Sequence, residues 1–240
     1  MQILSKYHPV CEATASSVEI GVNLEFEAAS DACALETLLW LFLPYNAAER
    51  EQYEQLLQTL AEVLKQRLRA ELAGYRIVDG ELELYFYAPS AKTFEPVVAA
   101  FMSEYSGYDM GSCKDAKQKF YFDALYPDAR QLLQIQNTQT IAQLQEAEDQ
   151  CEQEREVEHY LLFPTRGNAV RALQKASALE FTCKHEYTDD TGELRHIIVI
   201  TKSHDVSDAV IHEITEDLFV IAMEEHGRYE GWSTTLVLKK

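Results

Sequence analysis

The alternation of apolar and polar positions divides the chain into two runs of the same element order. TLLWLFLPY, residues 37–45, is a short apolar run bounded by a turn and predicts a buried strand. Asn46 is placed to cap a helix, with Glu49 three residues on as its capping-box partner. Tyr53, Leu56, Leu57, Leu60, Leu64 and Leu68 then fall on one helical face, and Gly74 is the expected stop. YRIVDGELELYFYA predicts two alternating strands joined at Asp79 and Gly80. Ser90 is the expected cap of a second helix, with Phe94, Val97, Val98 and Phe101 on one face and Gly107 beyond its end. KFYFDALY, residues 119–126, alternates and predicts the closing strand. The order is β-α-β-β-α-β, preceded by an extra strand in SVEIGVNLEFE.

The second half repeats this order. VEHYLLF is a strand, Pro164 and Thr165 break it, and the next helix turns Ala169, Ala172, Leu173 and Ala176 inward. LEFTCKHEY and ELRHIIVITK predict a hairpin across TDDTG, and the unbroken run Ile197 to Ile200 predicts a central strand. Asp205 is the expected cap of the last helix, and Asp208 lies in its first turn, where the helix dipole favours an acid. Val210, Ile211, Ile214, Leu218 and Ile221 are expected to face the sheet. Gly227 is the expected stop, and RYEGWSTTLV the last strand. Between the halves, PDARQLLQIQNTQTIAQLQEAEDQCEQERE lacks Gly and carries a thin apolar stripe, which fits a polar helix. The pattern predicts an α+β protein with two ferredoxin-like β-α-β-β-α-β sandwiches. Residues 1–127 form the first, 128–156 an acidic helical linker, and 157–240 the second.

Charge narrows the function. Forty acids against 21 bases give −19, spread along the whole length. Direct binding to nucleic acid needs clustered Lys and Arg and is disfavoured. An acidic surface attracts basic protein segments, and on charge alone the plainer reading is that it keeps the protein soluble. No apolar run approaches the length of a membrane span, and the start lacks the basic and apolar blocks of a signal peptide. Cys11, Cys33, Cys113, Cys151 and Cys183 are scattered without a C-x-x-C, which suggests reduced thiols in the cytoplasm.

Three ordered pieces then resemble the regulator of ribonuclease E activity B family: EREVEHYLLFPTRGNAVRAL, IIVITKSHDVSDAVIHEITEDLFVIAMEEHG and YEGWSTTL. Together they span most of residues 154–238. TLLWLFLP, ELELYFYAP and KFYFDALYPD are similar to domain of unknown function 695. The resemblance implies an α+β fold in each half. For the second half it implies a regulator that binds and inhibits an RNA-degrading endonuclease.

The search for chemistry turns up little. His8, His159, His185, His196, His204, His212 and His226 form no compact ligand set, so each is expected at the surface or at a cap, and no metal or cofactor is expected. There is no nucleophile elbow and no phosphate-cradling glycine loop. Asp189 and Asp190 sit in a hairpin turn. Cys151 is placed in an acidic helix where its neighbours oppose a thiolate. Tyr85 and Tyr87 share a strand face open to a ligand, while Phe86, Phe120 and Phe122 are assigned to the core.

The stretch EEHGRYEGWSTTLV could be a catalytic corner built on Glu225 and His226, or a helix end feeding an edge strand. The second reading prevails. Glu213, Glu216, Asp217 and Glu224 form an acidic flank on the last helix, and Tyr229, Glu230 and Trp232 follow as aromatic and acidic neighbours. The expectation is a non-enzymatic, cytoplasmic regulator that offers this patch to a basic protein segment, for which the resemblance names a ribonuclease E-type endonuclease as the candidate. The alternatives are a hydrolase with an interdomain site and a small-molecule-binding regulator, for which an enclosed apolar cavity in the N-terminal domain would speak.

Overall fold

The computed structural model describes residues 4–8, 18–26, 34–189 and 192–238. The chain divides into two compact units, Met1–Gln131 and Leu132–Lys240.

In the first unit, β1 (Ser5–Tyr7), β2 (Glu19–Val22), β3 (Thr37–Pro44), β4 (Glu71–Val78), β5 (Glu81–Ala88) and β6 (Asp109–Lys114) form one antiparallel sheet. Its order is β1-β2-β4-β5-β3-β6. Helices α1 (Arg50–Leu68) and α2 (Phe94–Phe101) supply the other layer. Leu39, Leu41, Leu43, Leu82, Leu84 and Phe86 meet Leu56, Leu57, Leu60, Leu64, Phe94 and Val98 in one core. Each fully buried leucine there contributes roughly 1.5–3 kcal/mol.

The local signals are partly rearranged. Asn46 accepts the Ala48 N–H and donates to Glu49, but it opens a short 3-10 turn, Ala47–Glu49, ahead of α1. Gly74 does not stop α1. The helix ends at Arg69, which takes the left-handed conformation (φ 57°) and donates its N–H to Lys65. Gly74 sits in β4 at a bulge, where a Cβ would lie 2.4 Å from the Gly21 carbonyl oxygen. Thr93, not Ser90, precedes α2. Asp79 and Gly80, both at positive φ, close the β4–β5 hairpin as predicted.

The closing strand is DMGSCK, not KFYFDALY. Tyr121–Leu125 forms a π-helical turn instead. Asp115 accepts the N–H groups of Lys119 and Phe120, which starts that turn, and the Tyr87 hydroxyl at 2.6 Å ties it to the sheet. Tyr121 and Phe26 thereby cover the second face of the sheet over Tyr87. Tyr85 and Tyr87 are buried, so they offer no binding platform. The Phe/Tyr assignment over residues 120–122 is inverted: Tyr121 is buried and Phe122 exposed.

In the second unit, β7 (Arg155–Phe163), β8 (Thr182–Thr188), β9 (His196–His204) and β10 (Arg228–Thr234) pair antiparallel in the order β10-β7-β9-β8. Helices α3 (Ala129–Glu146, which lies in this unit from Leu132 on), α4 (Arg166–Ala178) and α5 (Asp208–Glu224) accompany them. Thr165 caps α4 by accepting the Asn168 N–H. Ser207 precedes α5, while Asp205 accepts the Ser207 N–H just before it. The region expected as a linker contains α3, whose Leu133 and Ile141 pack into the cores of the second unit. Cys151 lies past α3, in a turn. β8 is exposed along its length, and its edge is broken by a bulge at Lys184, a usual guard against strand pairing with other chains.

Candidate functional site

The acidic flank of α5 is present. Glu213, Asp217 and Glu224 are exposed, and Glu216 is half-buried. At about 100° per residue, positions 213, 216, 217, 220, 223 and 224 fall on one side of the helix. Val220 and Met223 on that side are exposed apolar residues. Glu213 and Asp217 hold no cation among the described residues, whereas Glu224 pairs with Lys175 at 2.9 Å. Glu230 pairs with Arg228 at 2.7 Å on β10.

The aromatic half of the expected patch is differently placed. Tyr229 is 7% exposed and belongs to the core, so it cannot anchor a partner. Trp232 is half-buried and donates its indole N–H to Asn137 at 3.0 Å. Asn137, 1% exposed, in turn donates to Thr215 at 2.7 Å, which locks α3, α5 and β10 together. The sequence places aromatics next to acids, but alternation along β10 turns Tyr229 inward. The corner of Glu225 and His226 resolves into a helix end: Glu225 is buried and held by Arg171 at 2.7 Å and Lys175 at 2.6 Å.

Two histidines depart from the expected surface positions. His159 is fully buried and His204 nearly so. Their Nε2 atoms are 3.2 Å apart, His159 Nδ1 is 2.8 Å from the Tyr229 hydroxyl, and His204 Nδ1 is 2.6 Å from the Asp205 carbonyl oxygen. The carbonyl only accepts, so His204 carries its proton on Nδ1 and its Nε2 accepts. His159 therefore donates from Nε2 and accepts the Tyr229 O–H on Nδ1. The signal was in the sequence: His159 shares the inward face of β7 with Val157, Leu161 and Phe163. Among the described residues, neither ring hydrogen-bonds a serine, thiol or carboxylate that would make a catalytic relay.

Burial, with a smaller effect of His204, pushes His159 down to about 3; burial also lowers His204. A base depressed in the folded state stabilises the fold above its unfolded value near 6.5, and that stability is lost as pH falls toward 3. For His159 alone, the loss between pH 7 and pH 5 is about 2 kcal/mol. Urea unfolding followed by Trp232 fluorescence in a Trp40→Phe background should show it. His159→Gln should flatten the slope over that interval, and an unchanged slope would assign the acid sensitivity elsewhere.

In the first unit, a groove of about 660 Å³ runs along α1 beside β1 and β4, floored by Leu57, Ala61, Leu72 and Tyr75. It is open rather than enclosed, and the ion pairs Lys6–Glu54 and Lys65–Glu71 stand at its rim, both at 2.9 Å. Among the described residues, no three His, Cys, Asp or Glu side chains converge as metal ligands. Cys113, Cys151 and Cys183 are free thiols, and burial together with Asp149 raises the Cys151 thiol. Cys11, Cys33 and Asp190 lie outside the described residues. Among the described residues, no helix is long and apolar enough to cross a membrane.

These features define a two-part α+β protein whose C-terminal unit exposes an acidic helix over a tightly hydrogen-bonded interior. Residues 134–234 match the family model described as regulator of ribonuclease activity B, and residues 15–126 match the family of unknown function DUF695. The two matches follow one another along the chain, the DUF695 match first and the ribonuclease-regulator match second. No curated protein matches it. Among solved structures, an unknown protein from Galdieria sulphuraria is 9% identical with a TM-score of 0.22, covering 85% of this chain and 99% of that one. Protein BT0572 from Bacteroides thetaiotaomicron is 7% identical with a TM-score of 0.20, covering 82% and 92%.

Proposed function

We propose that this protein is a cytoplasmic, non-enzymatic regulator that binds a basic segment of an RNA-decay endonuclease of the ribonuclease E type and inhibits it. The match of residues 134–234 to the ribonuclease-regulator family carries the reading. The exposed stripe of α5 supports the mode of binding: Glu213 and Asp217 attract cationic side chains, and Val220 and Met223 receive apolar ones. Acidic surface raises the rate of encounter, and a few apolar contacts hold the complex.

Binding of the full chain to a purified ribonuclease E-type endonuclease, measured at low and high salt, tests this. Affinity should fall with added salt, because exposed charges are screened beyond about 8 Å at physiological ionic strength. The double substitution Glu213→Lys and Asp217→Lys should weaken binding by about tenfold or more through a lower association rate. Binding indifferent to both salt and these substitutions would remove α5 from the interface. Absence of binding in low salt would remove the endonuclease as the partner.

A further inference from the structure

The hydrogen bonds around His159 run in one direction: Tyr229 Oη–H to His159 Nδ1, His159 Nε2–H to His204 Nε2, His204 Nδ1–H to the Asp205 carbonyl. Only one arrangement of neutral tautomers satisfies all three contacts, because the terminal carbonyl cannot donate. His204 is the end through which a proton would enter, being slightly exposed where His159 is not. A proton there gives His204 an N–H at Nε2, facing the N–H of His159. The two can coexist only if the His159 proton moves from Nε2 to Nδ1 and is donated to the Tyr229 oxygen.

We propose that His159, His204 and Tyr229 form a proton-operated latch, in which uptake of one proton by His204 reverses the hydrogen bonds on both sides of His159. The net change is one added N–H bond on His204 Nε2, with the single N–H of His159 relocated. The reversed state is the weaker one. It leaves the buried Tyr229 hydroxyl hydrogen without an acceptor, since His159 is its one recorded partner among the described residues.

The charges that act on His204 are Asp205, which favours a proton, and Lys202, which opposes one. Lys202 donates to the Leu179 carbonyl and lies 5.5 Å from the Phe181 ring, which packs at near right angles to His159. Arg155 stands opposite His204 in the β7–β9 register but is matched by Asp149. Among the described residues, no carboxylate hydrogen-bonds either ring to hold the proton in place.

The location gives the latch its effect. His204 ends the strand that enters α5, and Tyr229 lies in the strand that leaves it. The neutral chain therefore staples together the two strands flanking the exposed acidic helix, and the protonated chain loosens the staple at Tyr229. The latch itself does not depend on the reading of α5 as a docking face.

Imidazole nitrogen NMR on the full chain, titrated from pH 8 to pH 5, tests it. At pH 8, His159 should carry its proton on Nε2 and His204 on Nδ1. On acidification His204 should become cationic, and His159 should switch to the Nδ1–H form at the same midpoint. His204→Gln keeps a carbonyl oxygen that can accept from His159, so His159 should then stay in the Nε2–H form down to pH 5. Retention of the Nε2–H form while His204 titrates in the native chain would overturn the proposal. A tautomer switch that persists in His204→Gln would overturn it as well. The native spectra decide the question even if the variant does not fold.

Discussion

Replacing Arg155 by methionine is expected to lower the unfolding free energy of the C-terminal unit by about 3–5 kcal/mol. The Arg155 and Asp149 side chains are 5% and 0% exposed, and their charged atoms are 2.8 Å apart. The guanidinium also donates to the carbonyls of Gln150, Gln153 and Thr235. Asp149 also accepts the Val237 N–H at 2.7 Å. Arg155 first, then the Val237 amide, hold the Asp149 carboxyl below the usual range despite burial. Methionine would fill the volume but leave a buried anion with only the Val237 amide and the weak Cys151 thiol as donors.

The tail after β10 hangs on the same pair, since Gln150 also donates to the Val237 carbonyl. Val237 should therefore lose amide-exchange protection along with global stability. The double variant Arg155→Met, Asp149→Leu should lose less than the single one, because the uncompensated charge goes with its partner. The two tryptophans fall one in each unit, so Trp232 reports the C-terminal unit once Trp40 is changed to Phe. A loss below about 1 kcal/mol, the scale of an exposed pair, would mean that water reaches this one.

What could be read from the sequence follows the range of the interactions. Periodicity is local, so the apolar faces of α1 and α5 and the strands β3, β5, β7 and β9 were legible from spacing alone. The Asp79–Gly80 turn was legible because its backbone conformation is fixed by the residues that form it. Residues 119–126 read as a strand because KFYFDALY alternates as one does, and the strand at Asp109–Lys114 has no such pattern. Asp115 and the Tyr87 hydroxyl, 28 positions away, instead fix a helical turn there. No local pattern encodes that bond. The acidic flank of α5 was legible as a helical stripe. The Tyr229 error had a different source: adjacency to acids in sequence was given more weight than the strand period that turns it inward. The His159–His204 pair joins positions 45 apart and was visible only as one inward histidine on an otherwise apolar face.

Gly227 shows the same limit in one residue, and its replacement by alanine is expected to cost about 3 kcal/mol. Sequence reasoning makes it a helix stop, chosen for left-handed freedom. The left-handed residue is His226 instead, at φ 56°. Gly227 is there for space: a Cβ would sit 2.4 Å from the Leu162 carbonyl oxygen and 2.4 Å from the ring of Phe163. Leu162 is fixed in β7, where it pairs with Arg228, and Phe163 is fully buried, so neither neighbour can withdraw cheaply. His226→Gly should have the opposite sign and stabilise by up to about 1 kcal/mol, because glycine adopts left-handed φ without steric penalty. Denaturation midpoints of the two variants, read through Trp232, separate the accounts. If Gly227 served conformation alone, Gly227→Ala would cost only about 1 kcal/mol and His226→Gly would bring no gain; a loss well beyond that, paired with a gain one residue earlier, marks close packing of the helix end on β7.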